Sequence, residues 1–132
     1  MITGQEVEDY VFERVRLLDL GINGKVYKHG TRPIDSKKED CVVTFLTGTT
    51  GQIQQVEAVV NIYVPDIKVK NGLYMRDIAR CKQVEQRLKS VCDDLDSQAM
   101  QCELSGAIVT IEEPSIKQHF VSLKLRFYHF NF

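Results

Sequence analysis

The chain has 132 residues, 43% of them hydrophobic and 27% charged, with a formal net charge of −1. Such a chain can bury about two thirds of its unfolded surface without disulfides or metals, and a near-neutral balance gives no global field toward nucleic acid or an anionic membrane. Apolar runs are only a few residues long, far short of the roughly 20 that a membrane span needs, and Met1–Glu6 has neither the basic nor the apolar stretch of a signal peptide. The expectation is one domain over residues 1–132, with no membrane partner.

Thr3 and Glu6 form a T-x-x-E capping box, and Val7, Tyr10, Val11, Val15 and Leu18 recur at the spacing of one helix face. They predict a helix from Thr3 to Asp19, closed by Gly21 and Gly24. Lys25–His29 predicts a short strand, and Gly30–Asp40, polar and broken by Pro33, an exposed loop. Cys41–Thr47 is β-branched and strand-like, followed by a turn at Gly48–Gly51. Val56, Ala58, Val60, Ile62 and Val64 then alternate with Glu57, Val59, Asn61 and Tyr63 in a strand ended by Pro65.

Pro65–Leu73 reads as a second loop, and Tyr74–Leu95 as a long helix with the apolar stripe Ile78, Cys81, Val84, Leu88, Val91 and Leu95. Asp93, Asp94 and Asp96 oppose the dipole at its end and mark its stop. Gln101–Leu104 and Ala107–Glu112 are short strands. In His119–Phe130, Val121, Leu123, Leu125 and Phe127 alternate with Ser122, Lys124, Arg126 and Tyr128. With no β-α-β alternation, the expected fold is α+β, an antiparallel β-sheet with two helices packed on one face. Ile78, Leu88 and Val60 should be buried where the second helix meets the sheet.

No residue cluster carries a reaction. His29, His119 and His129 lie near no nucleophile motif. Glu112 and Glu113 point to opposite faces of a strand, and Gly48–Gly51 lacks the Gly-Lys-Ser/Thr ending of a phosphate loop. Cys41, Cys81, Cys92 and Cys102 show no C-x-x-C spacing and are expected as four free thiols. The chain is therefore expected to be no enzyme, with no catalytic residue, metal or cofactor.

One local charge bias stands out, in Lys68, Lys70, Arg76, Arg80, Lys82, Arg87 and Lys89. It reads as a solvated helix face or as a partner surface, the natural partner being the acidic first helix (Glu6, Glu8, Asp9, Glu13) of an identical subunit. Arg32 on the first loop and Lys124, Arg126 and Tyr128 on the last strand complete the candidate interaction residues. Phe120, Tyr128, Phe130 and Phe132 interleave with Lys124 and Arg126, which leaves open a small-ligand or single-stranded nucleic-acid module using the sheet face. No RNP-type motif accompanies them, so nucleic acid is the lesser expectation.

The order of elements resembles the phage tail-completion and tail-terminator proteins, a group that includes small head–tail connector proteins. The resemblance rests on the N-terminal helix, Gly24–Tyr27 leading to a loop with Arg32-Pro33, the hairpin of Cys41–Leu46 with Val59–Pro65, the following helix and the strand His119–Arg126. It implies a structural subunit without catalytic residues. Such a subunit would form a homo-oligomeric ring with other tail or connector proteins as partners, in the virion or, during assembly, the host cytoplasm.

Overall fold

The computed structural model describes residues 1–131. The capping box forms: the Thr3 hydroxyl accepts the Glu6 N–H, and the Glu6 carboxylate accepts the Thr3 N–H. Helix α1 spans Gly4–Val15 and buries Val7, Val11 and Val15 completely. It stops short of Asp19 because the next turn tightens, with Leu17 and Leu18 N–H donating to the carbonyls of Arg14 and Val15.

The strands are β1 (Val26–Lys28), β2 (Cys41–Gly48), β3 (Ile53–Pro65), β4 (Ile67–Lys68), β5 (Tyr74–Met75), β6 (Met100–Leu104), β7 (Val109–Glu113) and β8 (Gln118–Phe130). The main sheet runs β1-β2-β3-β8-β6, with β7 also paired to β8, while β4 and β5 form a separate two-stranded hairpin. The β3–β8 pair is its spine, in register from Ile53↔Phe130 to Pro65↔Gln118.

The sheet is mixed and mostly antiparallel, which corrects the expectation of a purely antiparallel one: β1 pairs with β2 in parallel, Val26 opposite Cys41. A parallel neighbour needs a crossover of about a dozen residues, and residues 29–40 supply it.

The predicted long helix is also corrected. Tyr74–Met75 is a strand, Asp77 caps α2 (Ile78–Leu88) by accepting the Arg80 N–H at 3.2 Å, and a separate α3 (Val91–Leu95) follows. The break falls at Lys89–Ser90. Asp93 and Asp94 therefore stand in the first turn of α3, where carboxylates suit the dipole, instead of at the end of a longer helix. Ile78 is 57% exposed and outside the core, at the first residue of α2, whose buried positions begin at Cys81.

Leu88 and Val60 are fully buried, as expected. They share one apolar cluster with Val7, Val11 and Val15 of α1, Val84 of α2, Leu95 of α3 and the β8 residues Leu123, Leu125 and Phe127. Tyr10 meets Phe127 edge-on with ring centroids 6.0 Å apart. Among the described residues no helix is long and apolar enough to cross a membrane.

Candidate functional site

Strand alternation places Val56, Ala58, Val60, Ile62 and Val64 in the core. It sends Gln55, Glu57, Asn61 and Tyr63 to the opposite face, beside Tyr128, Arg126, Ser122 and Phe120 of β8. Two polar centres occupy that face.

At one end, Arg126 donates to Glu57 at 3.1 Å and to Glu103 at 3.3 Å, the Tyr128 hydroxyl donates to Glu103 at 2.7 Å, and the Ser105 hydroxyl donates to Glu57 at 2.9 Å. The Ser105 bond, joined by Arg126 and opposed by partial burial, holds the Glu57 carboxyl below its usual range. Arg126 and Tyr128, two predicted interaction residues, are thus met by carboxylates on both neighbouring strands. Lys124 between the two centres is exposed, with no side-chain hydrogen bond or ion pair among the described residues.

At the other end the crossover folds over the sheet. Arg32 stacks its guanidinium 4.0 Å from the centre of the Tyr63 ring. It donates to Asp40 at 2.9 Å, to the Gln118 side chain at 3.0 Å and to the Lys38 carbonyl at 3.2 Å. Asp40 and Gln118 are 1% and 2% exposed. Burial alone would raise the Asp40 carboxyl. The Ser36 hydroxyl, the Lys25 backbone N–H and the Arg32 guanidinium outweigh it and leave the pKa below the ordinary value. Arg32, predicted to reach a partner, closes the loop of its own chain.

The basic run divides in the same way. Arg80 donates to Glu39 at 2.6 and 2.8 Å, and to the Gly21 carbonyl at 2.6 Å. Arg87 donates to the Asp19 carbonyl at 2.8 Å and the Ser90 hydroxyl at 2.9 Å. Both tie α2 to the segment after α1. Arg76, Lys82 and Lys89 are exposed and make no side-chain hydrogen bond or ion pair among the described residues. The acidic helix expected to meet such a face is itself engaged. Glu6 serves the cap, Glu8 is buried, Asp9 pairs with Lys28, and Glu13 pairs with Arg16, each pair at 2.6 Å.

Sequence reasoning passed over the hairpin β4–β5 as loop. Asn71 and Gly72 both sit near φ +70°, the left-handed geometry that tight hairpin turns demand and that Asn and Gly tolerate. Ile67, Leu73, Tyr74 and Met75 are 44–64% exposed, and Ile78, three residues on at the start of α2, is exposed as well. Lys68, Lys70 and Arg76 flank these residues in the chain. Beside Tyr74 a cleft of about 320 Å³ is lined by Pro65, Asp66, Tyr74, Ile116, Lys117 and Gln118. Lys117 sits over the Tyr74 ring at 4.4 Å, and the His119 ring lies 2.7 Å from Asp66. The Asn71-Gly72 pair, flanked by Lys-Val-Lys and Leu-Tyr-Met, was the sequence signal for this element.

Ten residues further along β8 lies a second cleft, of about 330 Å³, lined by Asp96, Gln98, Gln101, Cys102, Glu103 and Tyr128. With Asp93 and Asp94 exposed on α3, it forms an acidic end to the molecule.

No protein-family model matches this chain, and neither does any of the curated proteins compared with it.

Proposed function

We propose that this protein works by contact, as a structural subunit that assembles head to tail with copies of itself into a ring. The setting that the resemblance supports is the joining or closing of a phage or prophage tail, with other tail or connector proteins as partners. The observation that carries the assembly reading is the β4–β5 hairpin. Its apolar side chains gain nothing from water, and a clustered apolar patch rimmed by charge is the mark of a protein–protein contact.

The hairpin leaves the sheet where Pro65 pairs with Gln118, while the acidic cleft lies at Tyr128. At about 3.3 Å per residue the two are roughly 33 Å apart along β8. A basic, apolar projection at one end and an acidic surface at the other suit a heterologous contact, which closes into a ring when its rotation allows. Of the free cations, Arg76 adjoins the hairpin, Lys82 lies midway along α2, and Lys89 closes α2 next to α3. We also infer that α1 and α2 cover the same face of the sheet, a reading supported by the single apolar cluster that both enter. That leaves the opposite face and the hairpin for partners.

The alternative use of the opposite face, stacking bases on Phe120, Tyr128 and Phe130 (Phe132 lies outside the described residues), is less well supported. Glu57 and Glu103 neutralise Arg126 there and would meet phosphates with like charge.

The test is a Leu73→Asp/Met75→Asp double variant, followed by sedimentation and native mass spectrometry, with the protein sought in purified virions. Oligomers of the wild type that the variant loses, with unchanged circular dichroism, support assembly through the hairpin. A wild type that stays monomeric at high concentration and is missing from virions overturns the proposal. Single-strand binding in a filter assay would favour the alternative.

A further inference from the structure

Cys92 and Cys102 are ten positions apart with no recognised spacing, yet the fold sets their sulfur atoms 3.4 Å from each other. Cys92 lies on α3 and is 8% exposed; Cys102 lies on β6, is half-buried and lines the acidic cleft. Their approach is fixed by the chain between them. The Cys102 N–H donates to Asp96 Oδ1 at 2.8 Å, the Met100 N–H to Ser97 Oγ at 3.0 Å, and the Ser97 N–H to the Met100 carbonyl at 3.1 Å. From α1, the Tyr10 hydroxyl reaches the Leu95 carbonyl and Ser97 Oγ. A closed, hydrogen-bonded loop thus holds two thiols within a short movement of bonding, which gives each a high effective concentration at the other.

We infer that Cys92 and Cys102 form a dithiol site that takes a small cationic disulfide in the acidic cleft and closes to an intramolecular disulfide. Cys102 faces the cleft, so its thiolate attacks first. One sulfur of the reagent leaves as a thiolate and takes up the proton Cys102 has lost, and the other stays on Cys102 as a mixed disulfide. The Cys92 thiolate then attacks the Cys102 sulfur, forms the Cys92–Cys102 bond and expels the second reagent thiolate, which takes the second proton. Two protein thiols are oxidised and one small disulfide is reduced to two thiols.

Charge selects the reagent. Asp96 and Glu103 line the cleft, Glu103 shared with Arg126, and Asp93 and Asp94 stand exposed on the neighbouring helix, so the carboxylates outnumber the one cation and an ammonium-bearing disulfide is favoured over a carboxylate-bearing one. Burial holds both thiols above their ordinary pKa, so exchange is slow at neutral pH and quickens in mildly alkaline solution. Cys41, fully buried and pushed up to about 12, is the internal control that should not react. The site does not depend on the assembly proposal.

The experiment incubates the intact protein with cystamine or with glutathione disulfide at mildly alkaline pH and counts thiols after denaturation. Cystamine should lower the count from four to two, and faster than glutathione disulfide. Cyanogen bromide cleavage at Met100, which lies between the two cysteines, should leave fragments that separate only after reduction. The Cys92→Ser variant should stop at the mixed disulfide, gaining one cysteamine by mass. The inference is overturned if four thiols persist, if the lost pair maps to Cys41 or Cys81, or if Cys92→Ser and wild type carry the same adduct.

Discussion

At the residue scale, side chains of one type have unlike duties, and hydrogen-bond partners separate them. Arg32 and Arg80 are internal clamps, while Lys82 is a solvated cation. The sequence made all three legible as charges; it could not show that Gln118 and Glu39 lie within reach of the arginines, because they come from distant chain positions, nor that Asp40, eight residues from Arg32 in the same loop, folds back onto it. Arg32→Ala leaves the buried Asp40 carboxylate short of its partner and should cost about 3–5 kcal/mol by urea unfolding. Arg80→Glu sets a carboxylate against Glu39 and should cost about 2–4 kcal/mol, less because that pair is partly solvated. Lys82→Glu should change stability by less than about 0.5 kcal/mol. Acid titration offers an independent check. Asp40 has a folded pKa below its unfolded value of about 3.9, so its contribution is fully present above that value. It is lost as pH falls through the folded pKa. Asp40→Asn should lower stability at neutral pH and flatten the acid limb of the stability curve; an unaltered acid limb would mean the carboxylate is not what the clamp stabilises.

At the element scale, local pattern was a good guide where one periodicity ran uninterrupted. The period-2 alternation of Val56–Val64 and of Val121–Phe127 gave the two spine strands and their buried faces. The capping box gave the start of α1. Pattern misled where two elements abut with compatible spacing: Ile78, Cys81, Val84, Leu88, Val91 and Leu95 read as one stripe, and all but Ile78 are buried, yet α2 and α3 are separate because the chain turns at Lys89–Ser90. The parallel β1–β2 pairing was invisible for another reason. Strand direction depends on where residues 29–40 lead the chain, and that is decided by the Arg32–Asp40–Gln118 contacts. Two substitutions test these elements. Leu88→Ala, at a fully buried position, should cost about 2–5 kcal/mol in calorimetry or denaturant melts. Gly24→Ala should also destabilise, because the added methyl would lie 2.5 Å from the Glu39 carbonyl, a backbone atom that cannot yield without moving the crossover. If Gly24→Ala melts with wild type, the close approach of those two loops is looser than its geometry shows.

At the scale of the whole molecule, what matters is that opposite chemistries sit at opposite ends of β8. Lys68, Lys70 and Arg76 flank the apolar hairpin in the chain, Asp96 and Glu103 line the cleft at Tyr128, and Asp93 and Asp94 stand exposed on α3 just before it. The near-zero net charge hid this separation, since the two ends cancel in the sum. A head-to-tail contact between them would combine a salt-sensitive part with a salt-insensitive apolar part. Raising ionic strength from below 0.05 M to well above 0.15 M, where the screening length falls below about 8 Å, should shift the assembly midpoint to higher protein concentration without abolishing association. A charge swap makes the test specific. Lys68→Glu/Lys70→Glu should weaken assembly, and so should Asp93→Lys/Asp94→Lys, since each pair then faces like charge in the neighbouring copy. All four positions are exposed, so the fold should be unaffected. Mixing the two variants distinguishes a true head-to-tail interface from general repulsion. The reversed hairpin of one then meets the reversed acidic end of the other, and that junction regains attraction. Hetero-oligomers in native mass spectra, richer than either variant forms alone, are the expected result. Equal weakness of the mixture and of the separate variants would show that these two ends do not meet.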